Sequence, residues 1–275
     1  MDLSFYKLRI CDADLILVDD LAGDGADRDW AKAARALLDR RRGAGADRMA
    51  VVSRVESATW LRVFGRGGEG GPYADAALCA ARFLLDSGRS GSDSVELRVS
   101  GGELAVDVLD SASLGLALGP PRRIGSGEPV SRTEAAALET IIEAGGARYQ
   151  VLPLRAGLPG SDGAAVFAEG AGPRARVRAL SGARGGAAGT SSVGVAVRVV
   201  SGGELAVSAR PGPSLDALSA AALALAAASA TGRSEAEAMV RLRSGALWVE
   251  WTPRGAIYAV GRPEYVYRGD FHLAF

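Results

Sequence analysis

Apolar positions in this chain come in short runs divided by glycine-bearing breaks, and the spacing within each run predicts its element. Residues 8–19 end in Leu15-Ile16-Leu17-Val18, a continuous apolar run that predicts a buried strand. Across 29–42 the period lengthens. Trp30, Ala33, Ala34, Leu37 and Leu38 recur at helical intervals and Gly43 follows, so a helix is predicted there. Residues 49–52 and 60–64 read as strands, the second leading into a glycine-rich loop that ends at Pro72. A helix is predicted over 74–85, stopped near Ser87-Gly88, and a hairpin over 95–99 and 103–109 around Ser100-Gly101-Gly102. A strand at 114–118 follows. Residues 131–144 predict a helix opened by a capping box from Ser131 to Glu134. Residues 156–190, rich in Gly, Ala, Pro and Arg, read as loop with short strands. Strands are then predicted at 193–200 and 204–209, a helix at 214–230, and strands at 239–242, 247–251, 256–260 and 265–267.

The pattern repeats internally. Ser-Gly-Gly-Glu-Leu-Ala-Val occurs at 100–106 and again at 201–207. More broadly, strand, Gly/Pro loop, helix and hairpin follow one another from Leu61 and again from Leu205. That succession predicts two related α/β lobes, with a cleft where the two helix N-termini face each other.

Composition removes several function classes. Basic and acidic residues number 32 each, so the net charge is zero, which argues against nucleic acid or an anionic membrane as partner. His272, close to the end of the chain, is the only histidine, which argues strongly against a histidine-centred triad and leaves a Cys/His zinc site short of ligands. Asparagine is absent. Cys11 and Cys79 are the only cysteines, and no leader-like segment opens the chain, so the cytoplasm is the expected compartment. The longest apolar run, 217–230, is mostly alanine and too short to span a bilayer.

Several segments, in order along nearly the whole chain, resemble the diaminopimelate epimerase family. Phe5-x-Lys7, Asp14 and Asp19 match its opening motif. Asp39-Arg40-Arg41-Arg42-Gly43-Ala44-Gly45-Ala46-Asp47 matches its D-R-H-x-G-x-G-x-D segment. Arg62-Val63-Phe64, Cys79 to Phe83, Trp248 to Trp251 and Tyr267-Arg268-Gly269 match further stretches. The resemblance implies an α+β fold of two pseudo-symmetric lobes, 1–120 plus 263–275 and 121–262, each a mixed sheet wrapped around a central helix. It also implies an isomerase that uses no cofactor and no metal. One cysteine at each helix N-terminus removes or returns the substrate's α-proton, and each helix end lowers a thiol pKa and cradles a carboxylate.

Aligned on those segments, Tyr73 and Leu218 stand at the two cysteine positions. Ala13, Asp75 and Ser192 stand at or near three of the family's asparagines, and Ala74 replaces the glycine after the first cysteine. Of the family's Glu-Arg pair only Arg210 remains, and Ser219 follows Leu218. Tyr73 either fills the space of thiol and substrate or serves as an acid. Asp75 and Asp216 are either first-turn acids of their helices or replacement acid/base groups. Arg210, with Ser192, Ser219, Ala13 and Asp75 around it, is the best remaining anchor for a small carboxylate or amino acid. Two readings follow from different classes. One is an inactive homologue that binds a ligand or a subunit, as a homo-oligomer or beside a true epimerase. The other is an isomerase or lyase working through non-cysteine groups on a different small carboxylate. Retained diaminopimelate epimerase activity is a third.

Overall fold

The run at 15–18 lies inside a strand buried on both faces, as its continuity predicts. The computed structural model describes residues 2–23, 28–91, 93–123, 126–138, 140–144, 147–152, 154–155, 163–167, 193–209 and 215–272. The chain divides into two compact units, Met1–Leu116 with Gly261–Phe275, and Ala117–Val260.

In the first unit, β1 (Asp2–Ile10) and β2 (Ala13–Asp20) form a hairpin that turns at Cys11-Asp12. Then come α1 (Trp30–Leu37), β3 (Arg48–Val55), β4 (Ala58–Gly65), the short β5 (Gly68–Glu69) and α2 (Ala74–Asp86). The hairpin β6 (Ser94–Val99) and β7 (Gly102–Val108) precedes β8 (Leu114–Gly119), and the C-terminal strand Glu264–His272 returns to pair with β1. Helix α1 ends at Leu37, short of the predicted 42. The Asp39 carboxylate accepts from the backbone N–H groups of Arg41 and Arg42 at 2.8 and 3.0 Å, a local turn that competes with further helix.

Helix α2 is buried on nearly every side, from Ala74 to Leu84. Such a helix needs cover all round, and the sheet provides it: α2 contacts β1, β2, β3, β4, β6 and β7.

The second unit opens with β9 (Arg122–Arg123) and α3 (Arg132–Ala136). Its strands are β10 (Thr140–Ala144), β11 (Ala147–Leu152), β12 (Leu154–Arg155), β13 (Gly163–Phe167), β14 (Val193–Ser201) and β15 (Glu204–Ala209). Helix α4 (Ala217–Ala230) follows, then β16 (Glu237–Leu242), β17 (Gly245–Trp251) and β18 (Ile257–Gly261). The predicted helix over 131–144 is a correction. The capping box is present, but the helix stops at Ala136. Thr140, Ile141 and Ile142 are β-branched and pair with Val151, Gln150 and Tyr149 instead. Helix α4 contacts β12 to β17 and α3, and it is buried throughout from Ala217 to Ala228.

The strands of the two units share one pairing order. From the C-terminal strand through β1, β2, β3, β4, β6 and β7 to β8, neighbours run antiparallel, antiparallel, parallel, antiparallel, parallel, antiparallel, antiparallel. From β10 through β11, β13, β14, β15, β16 and β17 to β18 the order is identical. The segment β4-α2-β6 thus corresponds to β15-α4-β16. The repeated heptapeptide does not follow this correspondence. Its first copy turns β6 into β7 and its second turns β14 into β15, so it reflects two similar hairpins, whereas the broader succession reflects the repeat.

Candidate functional site

The residues that carry the family resemblance in the first unit form a clasp. Lys7 donates to the Gly45 carbonyl at 2.7 Å and lies 3.4 Å from the Asp14 carboxylate. Arg40 bridges Asp14 at 3.2 Å and Asp47 at 2.8 Å. The backbones of Asp14 and Asp47 close the loop, with Asp14 N–H on the Asp47 carboxylate and Asp47 N–H on the Asp14 carbonyl. Gly43 must be glycine, because a Cβ there would sit 2.2 Å from the Ala36 carbonyl oxygen. These motif residues hold the end of α1 against the start of β2.

The α2 N-terminus lies downstream of Gly70 and Gly71, whose φ values of 123° and 121° are open to glycine alone. Tyr73 occupies the N-cap position, its side chain making no capping bond. The ring is buried and its hydroxyl is 2.8 Å from the Ser100 hydroxyl in the β6–β7 turn. Asp75 is only 2% exposed, inside the first turn, where a carboxylate favours the helix dipole.

Cys11 sits in the β1–β2 turn with φ of 49°. Burial pushes its thiol up to about 12, and the carboxylates of Asp75, Asp12 and Glu264 add to the shift. Cys79, fully buried in the middle of α2, is raised by burial and then by Asp75. Both cysteines are therefore neutral thiols at physiological pH, and neither stands at a helix N-terminus. Ala13, at the start of β2, is buried.

At the α4 N-terminus, Asp216 is the N-cap, one place before the first turn where the sequence sets it. Its carboxylate accepts from the Ser219 N–H at 2.8 Å. Leu218 is 0% exposed. Ser219 is equally buried, and its hydroxyl has no hydrogen-bond partner among the described residues. Arg210 and Ser192 lie outside the described residues. Among the described residues, no group of three or more His, Cys, Asp or Glu is set to hold a metal ion, and no helix is long and apolar enough to cross a membrane.

Two features of the site escape the sequence reading. Ser100 is noticed there only as part of a repeated heptapeptide, and nothing in the spacing ties it to Tyr73. The nearness of Asp75 to Cys11 depends on the β1–β2 turn meeting the α2 N-terminus, whereas Asp75 and Cys79 are one helical turn apart.

No established family profile matches the chain. Among curated proteins it is similar to the diaminopimelate epimerase of Cupriavidus metallidurans, with 29% identity over 174 residues covering 58% of each chain. It is also similar to that of Burkholderia mallei, with 30% identity over 125 residues covering 44% of this chain and 43% of the other. The matched part thus spans about half the length of these curated relatives. Among solved structures, a phenazine biosynthesis protein of the PhzF family from Enterococcus faecalis superposes with a TM-score of 0.64 at 13% identity, covering 99% of this chain and 100% of that one. A hydroxyproline epimerase from Agrobacterium vitis, solved with bound trans-4-hydroxy-L-proline, gives 0.64 at 14% identity, covering 98% and 92%. The chain has the diaminopimelate epimerase-like fold of these solved structures, and over about half its length its sequence is similar to diaminopimelate epimerases.

Proposed function

We propose that this chain is a catalytically inactive relative of the diaminopimelate epimerases that works as a binding or subunit-interaction protein. The observation that carries the reading is Leu218. It stands where the resemblance sets the second cysteine, and it is a fully buried aliphatic side chain in the first turn of α4. Epimerisation needs an acid on one face of the α-carbon and a base on the other, and an isobutyl group supplies neither. Tyr73, at the other cysteine position, has its hydroxyl engaged with Ser100. The two cysteines that remain are neutral thiols elsewhere.

The guest this reading favours is a small carboxylate or amino acid, bound without cofactor. The Ser219 hydroxyl in the first turn of α4, without a hydrogen-bond partner among the described residues, supports it, with Arg210 as the charged anchor. Neither nucleic acid nor membrane is a partner in this reading, and the subunit partner is a second copy of the chain or a cysteine-bearing epimerase in the cytoplasm. Diaminopimelate itself is expected to bind only on the order of millimolar or more weakly, since one arginine contact leaves little after association entropy is subtracted.

The test is solvent deuterium wash-in at the α-carbon of diaminopimelate, expected at background. Incorporation well above background, abolished by Tyr73→Phe, overturns the proposal. The alternative reading, a cofactor-independent isomerase acting on a different small carboxylate, rests on the buried carboxylate of Asp75 at a helix start, with Asp216 as second group. It calls for wash-in on other amino and hydroxy acids that is lost in Asp75→Asn.

A further inference from the structure

The repeat exposes a difference between the two units. In the second, β15 and β16 run parallel through Glu204↔Met239, Leu205↔Val240 and Ala206↔Arg241, and the Glu204 carboxylate holds the Arg241 guanidinium. The corresponding junction in the first unit, β4 beside β6, is joined only at Trp60↔Arg98. Matching the hairpin turns Val55↔Ala58 and Ser201↔Glu204 sets Ala58 against Glu204 and Arg98 against Arg241. The arginine is kept, while its acidic partner is a methyl group. Below the single bridge the strands leave a groove of about 620 Å³, wholly within the first unit.

Three guanidinium groups line this groove, from Arg54 on β3, Arg89 beyond the end of α2, and Arg98 on β6. Arg98 uses its Nε on Glu103 at 3.0 Å, leaving its terminal amino groups unused among the described residues. Arg89 gives one amino group to Asp19 at 2.5 Å. Arg54 has no ion pair among the described residues. The hydroxyls of Ser57, Thr59 and Ser94 add donors. Two carboxylates, Glu96 and Glu103, also line the groove, so positive groups outnumber negative by three to two.

We propose that this groove binds a phosphate monoester, with Arg54 and the unused amino groups of Arg89 and Arg98 as its donors. Such a group carries close to two charges and three terminal oxygens at neutral pH, and guanidinium forks match that geometry. A carboxylate has one charge and two oxygens, so it matches three arginines from separate elements less well in charge and in acceptors. The ion pairs already present are exposed, so adjusting them costs little.

The test is calorimetric titration of the full chain with glycerol 3-phosphate, with succinate and glycine as competing chemistries. Binding of the phosphate ester is expected with a Kd on the order of 0.1 mM. Arg54→Ala should weaken it about tenfold by removing the unpaired guanidinium. Ala58→Glu should abolish it by restoring the carboxylate found at Glu204, with the arginines untouched. Should Arg54→Ala fail to fold, Ala58→Glu decides alone, its fold checked by circular dichroism. No binding, binding indifferent to both substitutions, or equal or tighter binding of succinate or glycine would each overturn the assignment.

Discussion

The hydroxyls of Tyr73 and Ser100 lie 2.8 Å apart, joining the start of α2 to the turn between β6 and β7. The phenol is thus a tie between two elements of one unit. Tyr73→Phe keeps the ring and removes the bond, so it should cost about 0.5–1.5 kcal/mol. Ser100→Ala should cost a similar amount, and chemical denaturation of the double variant should show the two losses to be less than additive.

Leu218→Ala should destabilise the protein by about 2–5 kcal/mol, the range for a buried leucine that leaves a cavity. The side chain is fully buried in the first turn of α4. A denaturation midpoint unchanged by the substitution would show that the site has room to spare.

Cys11 should resist thiol reagents. Its thiol is raised from an ordinary 9.0 to about 12, so the reactive thiolate is scarce at pH 8. Its rate with a disulfide reagent should be at least about tenfold below that of a free thiol and still rising at pH 10. The sign for stability follows. A folded pKa above the unfolded one favours the fold fully below pH 9 and is lost as pH climbs toward 12. Cys11→Ala should flatten that part of the alkaline stability curve.

Gly43→Ala should cost at least about 2 kcal/mol, because its Cβ meets backbone carbonyls that cannot retreat. The nearest, that of Ala36, is 2.2 Å away. Gly67→Ala, which meets nothing within 4 Å, is the control and should leave the melting temperature nearly unchanged.

Much of this fold is legible from spacing, because segments whose apolar residues alternate or run together between clear breaks have one way to be buried. The Leu15 run, the 95–109 hairpin and both central helices are of that kind. The stretch after Ser131 misleads because its cap is genuine. Local signals open a helix there, and pairing of Thr140 to Ile142 with β11 ends it. The tie between Tyr73 and Ser100 is invisible for a different reason. It joins residues 27 apart through the packing of a whole sheet around α2. The match of Arg98 to Arg241 is fixed by the strand order, and on it Gly102, Leu104 and Val106 fall against Gly245, Leu247 and Val249.

Helix α4 has a consequence of its own. From Ala217 to Ala228 every residue is buried, most of them alanine. Asp216 grips the Ser219 N–H and the Thr231 hydroxyl bonds the Ala227 carbonyl, but both bonds close within the helix and its caps. Asp216→Ala should therefore cost only the cap, about 1 kcal/mol. The rotation of the rod about its axis falls instead to the few side chains that stand out from it, Leu218, Leu223 and Leu225, all fully buried. They act as the bits of a key in the surrounding strands, and they fix the direction in which Ser219 points.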